Sequence, residues 1–348
     1  MLKDLFASKV RLPGQIDFEA GVEAYKAGQL AVAAEHFAGA LRVEPEHVQA
    51  HSYAGGIDLR TGRFREALEH FERARMLDPQ NAECHFDAAV AHRELGATEA
   101  ARECGETALA LDPGLAPAHG FLASLNFPGP FYLEIISMLH GHLRPRTYLE
   151  IGVETGQSIA LARRETRAIG IDPEPKITER LAPGTSIHAT TSDEYFAVHD
   201  VRAEFGGLPI DLAFIDGMHQ FEFALRDFIN IEKHCTSQST ILIHDCYPLS
   251  RRTAERERRT TFWSGDIWRL ILILRKYRPD LSVKVIGTAP TGLGVVRRLD
   301  PGSSVLRQNY EEIVGEYLAV DYSVLDADKA GLLALYPNDW EKVKAILQ

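Results

Sequence analysis

Cysteine is scarce and scattered: the four residues Cys84, Cys104, Cys235 and Cys246 form no CxxC pair, which argues against a disulfide framework or a cysteine-based structural zinc and makes a reducing cytoplasm the expected compartment. No apolar run approaches the roughly 20 residues needed to cross a bilayer. Positive charge is in deficit, with 38 basic against 49 acidic residues and a formal net charge of -11. A long-range field that gathers nucleic acid or anionic lipid is therefore not expected. The opening stretch "MLKDLFASKVRLPGQ" has too short an apolar run, and too many charges in it, for a signal peptide. What remains is a soluble composition over 348 residues, enough for about two domains at roughly 150 residues each.

The first third is periodic. Pro45, Pro79 and Pro113 stand 34 residues apart, and at fixed offsets before them come Gly28, Gly62 and Gly96, then Ala33, Ala67 and Ala101, then Ala40, Ala74 and Ala108. Phe37 and Phe71 match each other, with Gly105 in the third copy; Gly21 and Gly55 match, with Ala89 in the third. This pattern resembles a tetratricopeptide repeat array, and it is expected to occupy residues 14–125 as three repeats plus a capping helix, "APAHGFLASLNF". Small residues sit where two antiparallel helices come closest, aromatics fill the space beside them, and proline ends each pair. A single repeat cannot bury its own apolar face, so stacking supplies the core and leaves a surface suited to a peptide or protein partner.

"NFPGPF" at residues 126–131 interrupts the helical pattern, and beyond it the chain changes character. After a helix near Tyr132 to His140, the runs "TYLEIGV", "RAIGID", "TSIHAT", "DLAFID", "TILIHD", "LSVKVIG" and "GLGVVRRL" alternate with helical segments. That alternation predicts an α/β Rossmann-like domain over residues 131–300 with a mostly parallel, seven-stranded sheet. Only "TAPT" separates the last two strands, too short for a crossover, so they should close the sheet as an antiparallel hairpin. Residues 301–348 read as a helical extension.

Ligands of such sheets bind beyond the carboxyl ends of the strands, and there the sequence places Glu150, Asp172, Asp216, His244 and Asp245, with Glu154 and His219 in the adjoining loops. In "YLEIGVETGQSIALA" the turn from strand to expected helix carries Gly152 and Gly156 rather than G-x-G-x-x-G, flanked by Glu150 and Glu154. Carboxylates repel a pyrophosphate but suit a ligand with an ammonium and a sulfonium, as S-adenosylmethionine has. Asp172 ends the next strand 22 residues after Glu150, where an acid can accept from both ribose hydroxyls. On these residues the region from about 131 to 300 resembles class I S-adenosylmethionine-dependent methyltransferases, in the group containing macrocin-type sugar O-methyltransferases and cephalosporin hydroxylase-like proteins. The resemblance implies a cofactor site of Glu150, Gly152, Glu154, Gly156, Asp172, Asp193 and Asp216. Asp193, in "TSDEYF", equally suits a helix cap.

"FIDGMHQFEFALRDF" and "ILIHDCYP" put Asp216 and His244–Asp245 at the ends of neighbouring strands, about 5 Å apart laterally. The resemblance implies Asp216, His244 and Asp245 as ligands of a divalent metal, magnesium first, and His219 of the D-G-x-H motif as the catalytic base. Where the family pattern has an acid this chain has His244, and imidazole suits zinc, iron or manganese better than magnesium. "SRRTAERERRTTFWSGDIWRL" is long for a connector and suits a lid, with Trp263 available to stack on an acceptor, Trp268 in the core, and the arginine-rich part as a solvated helical face. The expected function is metal-assisted O-methylation of a sugar, glycan precursor or small metabolite, with a protein partner on the repeats and room for self-association. The alternatives are a protein acceptor held by the repeat groove and a non-catalytic scaffold.

Overall fold

The computed structural model describes residues 13–260 and 262–347; all but the end of the N-terminal stretch tested for a signal peptide lies outside them. The chain divides into two compact units, one ending at Leu125 and one beginning at Asn126. Among the described residues no helix is long and apolar enough to cross a membrane.

The first unit consists of α1 (Pro13–Lys26), α2 (Leu30–Val43), α3 (Val48–Arg60), α4 (Phe64–Leu77), α5 (Ala82–Glu94), α6 (Thr98–Leu111) and α7 (Ala116–Asn126). They pair as successive antiparallel hairpins, α1 on α2, α3 on α4 and α5 on α6, with α2 also packed on α3 and α4 on α5. Small residues are required by their neighbours: a Cβ on Gly21 would lie 2.8 Å from the Phe37 ring, and one on Gly55 would lie 2.6 Å from that of Phe71. The third copy inverts the arrangement, since Ala89 is buried and the missing aromatic at Gly105 leaves a space that Leu122 of α7 approaches to 3.0 Å of a built Cβ. A second periodic element, absent from the proline, glycine and alanine pattern, runs through histidines. The prolyl carbonyls of Pro45, Pro79 and Pro113 each accept a hydrogen bond from the histidine six residues on, His51, His85 and His119, all at 3.0 Å.

The second unit opens with α8 (Tyr132–Leu143) and continues through β1 (Thr147–Ile151), β2 (Arg167–Asp172), β3 (Thr185–Ala189), α9 (Ser192–Val198), α10 (Val201–Glu204), β4 (Leu212–Ile215), α11 (Phe221–Glu232), β5 (Thr240–Ile243), α12 (Trp268–Tyr277), β6 (Ser282–Ile286) and β7 (Leu293–Arg297). The strand order is β3-β2-β1-β4-β5-β7-β6, extended at the β6 edge by β8 (Leu335–Tyr336). β1 to β5 are parallel, and β7 is antiparallel to both β5 and β6, as the short "TAPT" connection requires. One face of the sheet is covered by α8 and by Val343 and Leu347 of the C-terminal helix. The other is covered by Tyr195, Phe221, Phe228, Trp268 and Leu270, to which Leu306, Ile313 and Tyr317 add from beyond residue 300.

Three local expectations fail, each for a physical reason. The sheet has eight strands, because the tail returns to the β6 edge and Leu335 and Tyr336 pair in parallel with Val285 and Ile286. The turn after β1 leads into a three-residue 3-10 turn, Ile159–Leu161, and not an α-helix. Gly152, Glu154 and Gly156 all have positive φ (85°, 46° and 91°), and three left-handed residues in five prevent helix nucleation. The arginine-rich run from 251 to 259 is also non-helical: it lacks an apolar stripe to bury, and Arg256 is drawn to Glu222 and Asp266 instead. Trp268 is in the core, as expected, at 1% exposure.

Candidate active site

The strand order reverses between β1 and β4, and the ends of these strands are joined by backbone contact. Asp216 N donates to Ile151 O at 2.8 Å, and a Cβ on Gly152 would lie 1.9 Å from the Asp216 carbonyl oxygen. Gly152 is thus obligatory because it admits the loop after β4.

Asp172 binds this turn to β2. One of its carboxylate oxygens accepts from Val153 N (2.9 Å) and Glu154 N (2.8 Å), and the other accepts from Glu174 N (2.8 Å). Carboxylate oxygens have about four lone-pair sites in all, so acceptor capacity remains for a bound hydroxyl. Glu154 is exposed at the rim, and Gly156 faces Ile177. Glu150 is fully buried on the α8 side, with its oxygens taken by Tyr148 OH (2.5 Å) and Ser158 Oγ (2.6 Å). Burial pushes its pKa up to about 8, against the opposing pull of those two hydrogen bonds. It therefore lies beneath the rim and not on it. Asp193 is exposed on α9 and forms a bidentate ion pair with Arg226 (2.7 and 3.0 Å), while the cap of α9 is Thr191.

Asp216, His219 and Asp245 converge, each offering a ligand atom within 4.8 Å of the others. They line, with His244, Met218 and Ile267, a cavity of about 10 Å³, which is room for one water or ion. His219 Nδ1 donates to the Trp263 carbonyl at 3.1 Å; it also lies 3.0 Å from Asp245 Oδ2, out of line for a hydrogen bond, because that oxygen is buried and unpartnered. Since a carbonyl only accepts, Nδ1 carries the proton and Nε2 is free in the neutral ring. The indole of Trp263 stacks on the imidazole, with centroids 4.9 Å apart and planes at 9°. Gly265 lets the loop after β5 close on this residue, as a Cβ there would lie 1.8 Å from His219 O.

His244 Nδ1 donates to Asp216 Oδ1 at 3.1 Å, and its Nε2 is buried without a partner. Burial disfavours a charged imidazole at both histidines, but Asp216 and Asp245 outweigh it and raise both pKa values, that of His244 well above the usual range. Burial likewise opposes ionisation of Asp245, yet the two imidazoles hold its carboxyl below the usual range. Asp245 also has φ 59°, a conformation that a non-glycine residue adopts at some expense and that is concentrated at functional sites. Two neighbours had no sequence signal: Thr291, whose hydroxyl donates to Asp245 Oδ1 at 2.6 Å, and Tyr132, whose ring lies 4.3 Å from that of His244. Asp266 is fully buried and accepts from Phe221 N and Arg256, which ties the loop after β5 to α11.

Comparison with known proteins bears on both units of the chain. A family described as a methyltransferase domain matches residues 149–246, and two tetratricopeptide repeat families match residues 18–60 and 58–125. The chain thus combines a tetratricopeptide repeat array with a methyltransferase domain. No curated protein matches it. Among solved structures it is similar to MamA (residues 41 to the end) from Desulfovibrio magneticus RS-1, at 22% identity over 32% of this chain and a TM-score of 0.32; it spans 64% of the length of that structure. It is also similar to the first repeat domain of Spaghetti (RPAP3), solved with an HSP90 peptide, at 18% identity over 32% of this chain and 90% of the other, TM-score 0.32. The OM64 repeat domain from Arabidopsis gives 21% identity over 32% and 93%, TM-score 0.32.

Proposed function

We propose that this chain is a cytoplasmic S-adenosylmethionine-dependent O-methyltransferase of the sugar O-methyltransferase kind, assisted by a divalent ion, and that its acceptor is a hydroxyl of a sugar, glycan precursor or small metabolite. The observation that supports this reading best is the meeting of Asp216, His219 and Asp245 beyond β4 and β5. The buried, unpartnered Asp245 Oδ2 and His244 Nε2 beside a cavity of ion size fit a cation with mixed oxygen and nitrogen ligands. The adenosyl cofactor supplies an electrophilic methyl group, and a divalent ion supplies a lowered pKa for the acceptor hydroxyl.

The residues of the chain do the rest. Asp172 holds the β1 turn through Val153 N and Glu154 N and has about one lone-pair site left for a ribose hydroxyl; Glu154, exposed at the rim, would face the cationic end of the cofactor. Asp216 and Asp245 would hold the ion, with His244 oriented by its bond to Asp216. His219, held at Nδ1 by the Trp263 carbonyl and stacked on its indole, would take the acceptor proton at Nε2. The repeat array recruits a protein partner or the carrier of the acceptor.

Purified full-length protein with labelled S-adenosylmethionine and a panel of hydroxylated metabolites, with and without chelator, tests the reading. Label in a small molecule that is lost with chelator supports it; label on polypeptide alone, or no cofactor binding by calorimetry, defeats it. His219→Ala should lower turnover by about a hundredfold or more with cofactor affinity retained. Because His219 lies within ligand distance of both aspartates, a second reading makes it the third metal ligand. In that case His219→Ala also loses metal affinity, which a metal titration reads directly.

A further inference from the structure

A second cluster of ligating side chains lies away from this site. His188 Nε2 is 3.2 Å from Glu204 Oε2, and His199 Nδ1 is 2.6 Å from Glu204 Oε1; one ligand atom of each residue lies within 4.8 Å of the others. His188 is on β3, three strands from β4 in the sheet order, so roughly 14 Å separates the two clusters at the ordinary strand spacing.

We propose that His188, His199 and Glu204 form a zinc site with water in the fourth position. Two imidazoles and one carboxylate are a donor set that zinc accepts in tetrahedral geometry, at about 2.0–2.2 Å from each donor. Those bond lengths place the donors of a tetrahedral site a little over 3 Å apart; His188 and Glu204 stand at 3.2 Å, and His199 Nδ1 donates to Glu204 Oε1 at 2.6 Å, a proton that zinc would displace. The nitrogen of His188 supplies an independent indication. Its Nε2 is enclosed and makes no hydrogen bond even though a carboxylate oxygen is 3.2 Å away. A buried imidazole nitrogen left without a partner is costly unless a ligand takes it up.

The surroundings preorganise the three residues, as partners around metal ligands commonly do. Tyr195 OH donates to Glu204 Oε2 at 3.1 Å, its ring stacks on His199 (4.6 Å between centroids, 15° between planes), and His188 meets it edge-on at 4.9 Å. Side-chain exposures of 22%, 34% and 27% for His188, His199 and Glu204 leave a face open to water. The site also has a mechanical purpose. β3 is an edge strand with no residue fully buried, and no helix forms in the connection from β2, which contains Pro173, Pro175 and Pro183. An ion shared by β3, the end of α9 and α10 clamps that edge to the layer beneath.

The test is to strip the full-length protein with chelator, titrate it with zinc chloride against a chromophoric competitor, and follow its melting. The wild type should bind a tight zinc equivalent and melt at higher temperature with zinc. His199→Ala and Glu204→Gln should lose that equivalent and the zinc-dependent shift, while Asp245→Asn, at the other cluster, keeps both. Unchanged zinc binding in His199→Ala, or loss of the tight equivalent only in Asp245→Asn, overturns the proposal. If the variants fail to fold, anomalous scattering at the zinc edge from wild-type crystals soaked in zinc chloride decides: a peak among His188, His199 and Glu204 supports the site, and none there refutes it.

Discussion

Glu150 ends in a position that its sequence context does not announce. Its carboxyl is enclosed between Tyr148 and Ser158 and its pKa is pushed up to about 8. The ordinary value is 4.5, so between roughly pH 4.5 and 8 the folded chain keeps a proton that the unfolded chain has released. Bound protons then favour the folded state at the acid end, and this residue alone lowers stability by about 1.4 kcal/mol per pH unit across that window. Glu150→Gln removes the ionisable group: urea denaturation at several pH values should show the variant gaining on the wild type as pH rises from 5 to 8, and a constant difference would contradict this assignment. Gly152→Ala tests the neighbouring constraint. With the Asp216 carbonyl 1.9 Å from the new methyl and φ at +85°, the loops after β1 and β4 must separate. A lower melting temperature and weaker S-adenosylmethionine binding by calorimetry are expected together. Gly152, Asp172, Asp216, His219 and Asp245 were all legible as candidates because they end strands or come just after them. That Glu150 faces inward was not, because whether the side chain at a strand end looks over the rim or into a face depends on the pleat of the finished sheet.

At the scale of the element, the repeats show one packing rule applied with different residues. Gly21 with Phe37 and Gly55 with Phe71 give way in the third copy to Ala89 with Gly105, and Leu122 of the next helix approaches the vacated space. Phe71, 1% exposed against Gly55, should therefore be expensive to remove: Phe71→Ala is expected to destabilise the first unit by about 3–5 kcal/mol, read by chemical denaturation. The helices here were legible because a repeat of 34 residues superposes three readings of the same local signals. In the second unit the hydrophobic strands were equally plain, but the missing helix after β1 was not. Its apolar residues suit a helix, while the backbone of Gly152 to Glu154 is set by the contact with the β4 loop and Asp172. The run from 251 to 259 makes the same point, since the bonds from Arg256 to Glu222 and Asp266 join segments far apart in sequence.

For the whole molecule, the division between Leu125 and Asn126 separates clusters with their own cores. Calorimetry should resolve two unfolding transitions, and S-adenosylmethionine should raise only one, by about 2.7 kcal/mol of stability at a hundred times its dissociation constant. A single transition, or a shift of both, would refute this. The sequence by itself determined the two architectures and which candidate site residues stand at strand ends, because hydrophobic period, repeat length and strand-end acids are local properties of the chain. Only the tertiary structure decided that Glu150 is enclosed, that His219 meets Asp216 and Asp245 under Trp263, that the tail contributes an eighth strand, and that His188, His199 and Glu204 gather on one edge. These depend on distances between segments remote in sequence, which packing of the sheet and its covering layers sets and no local pattern encodes.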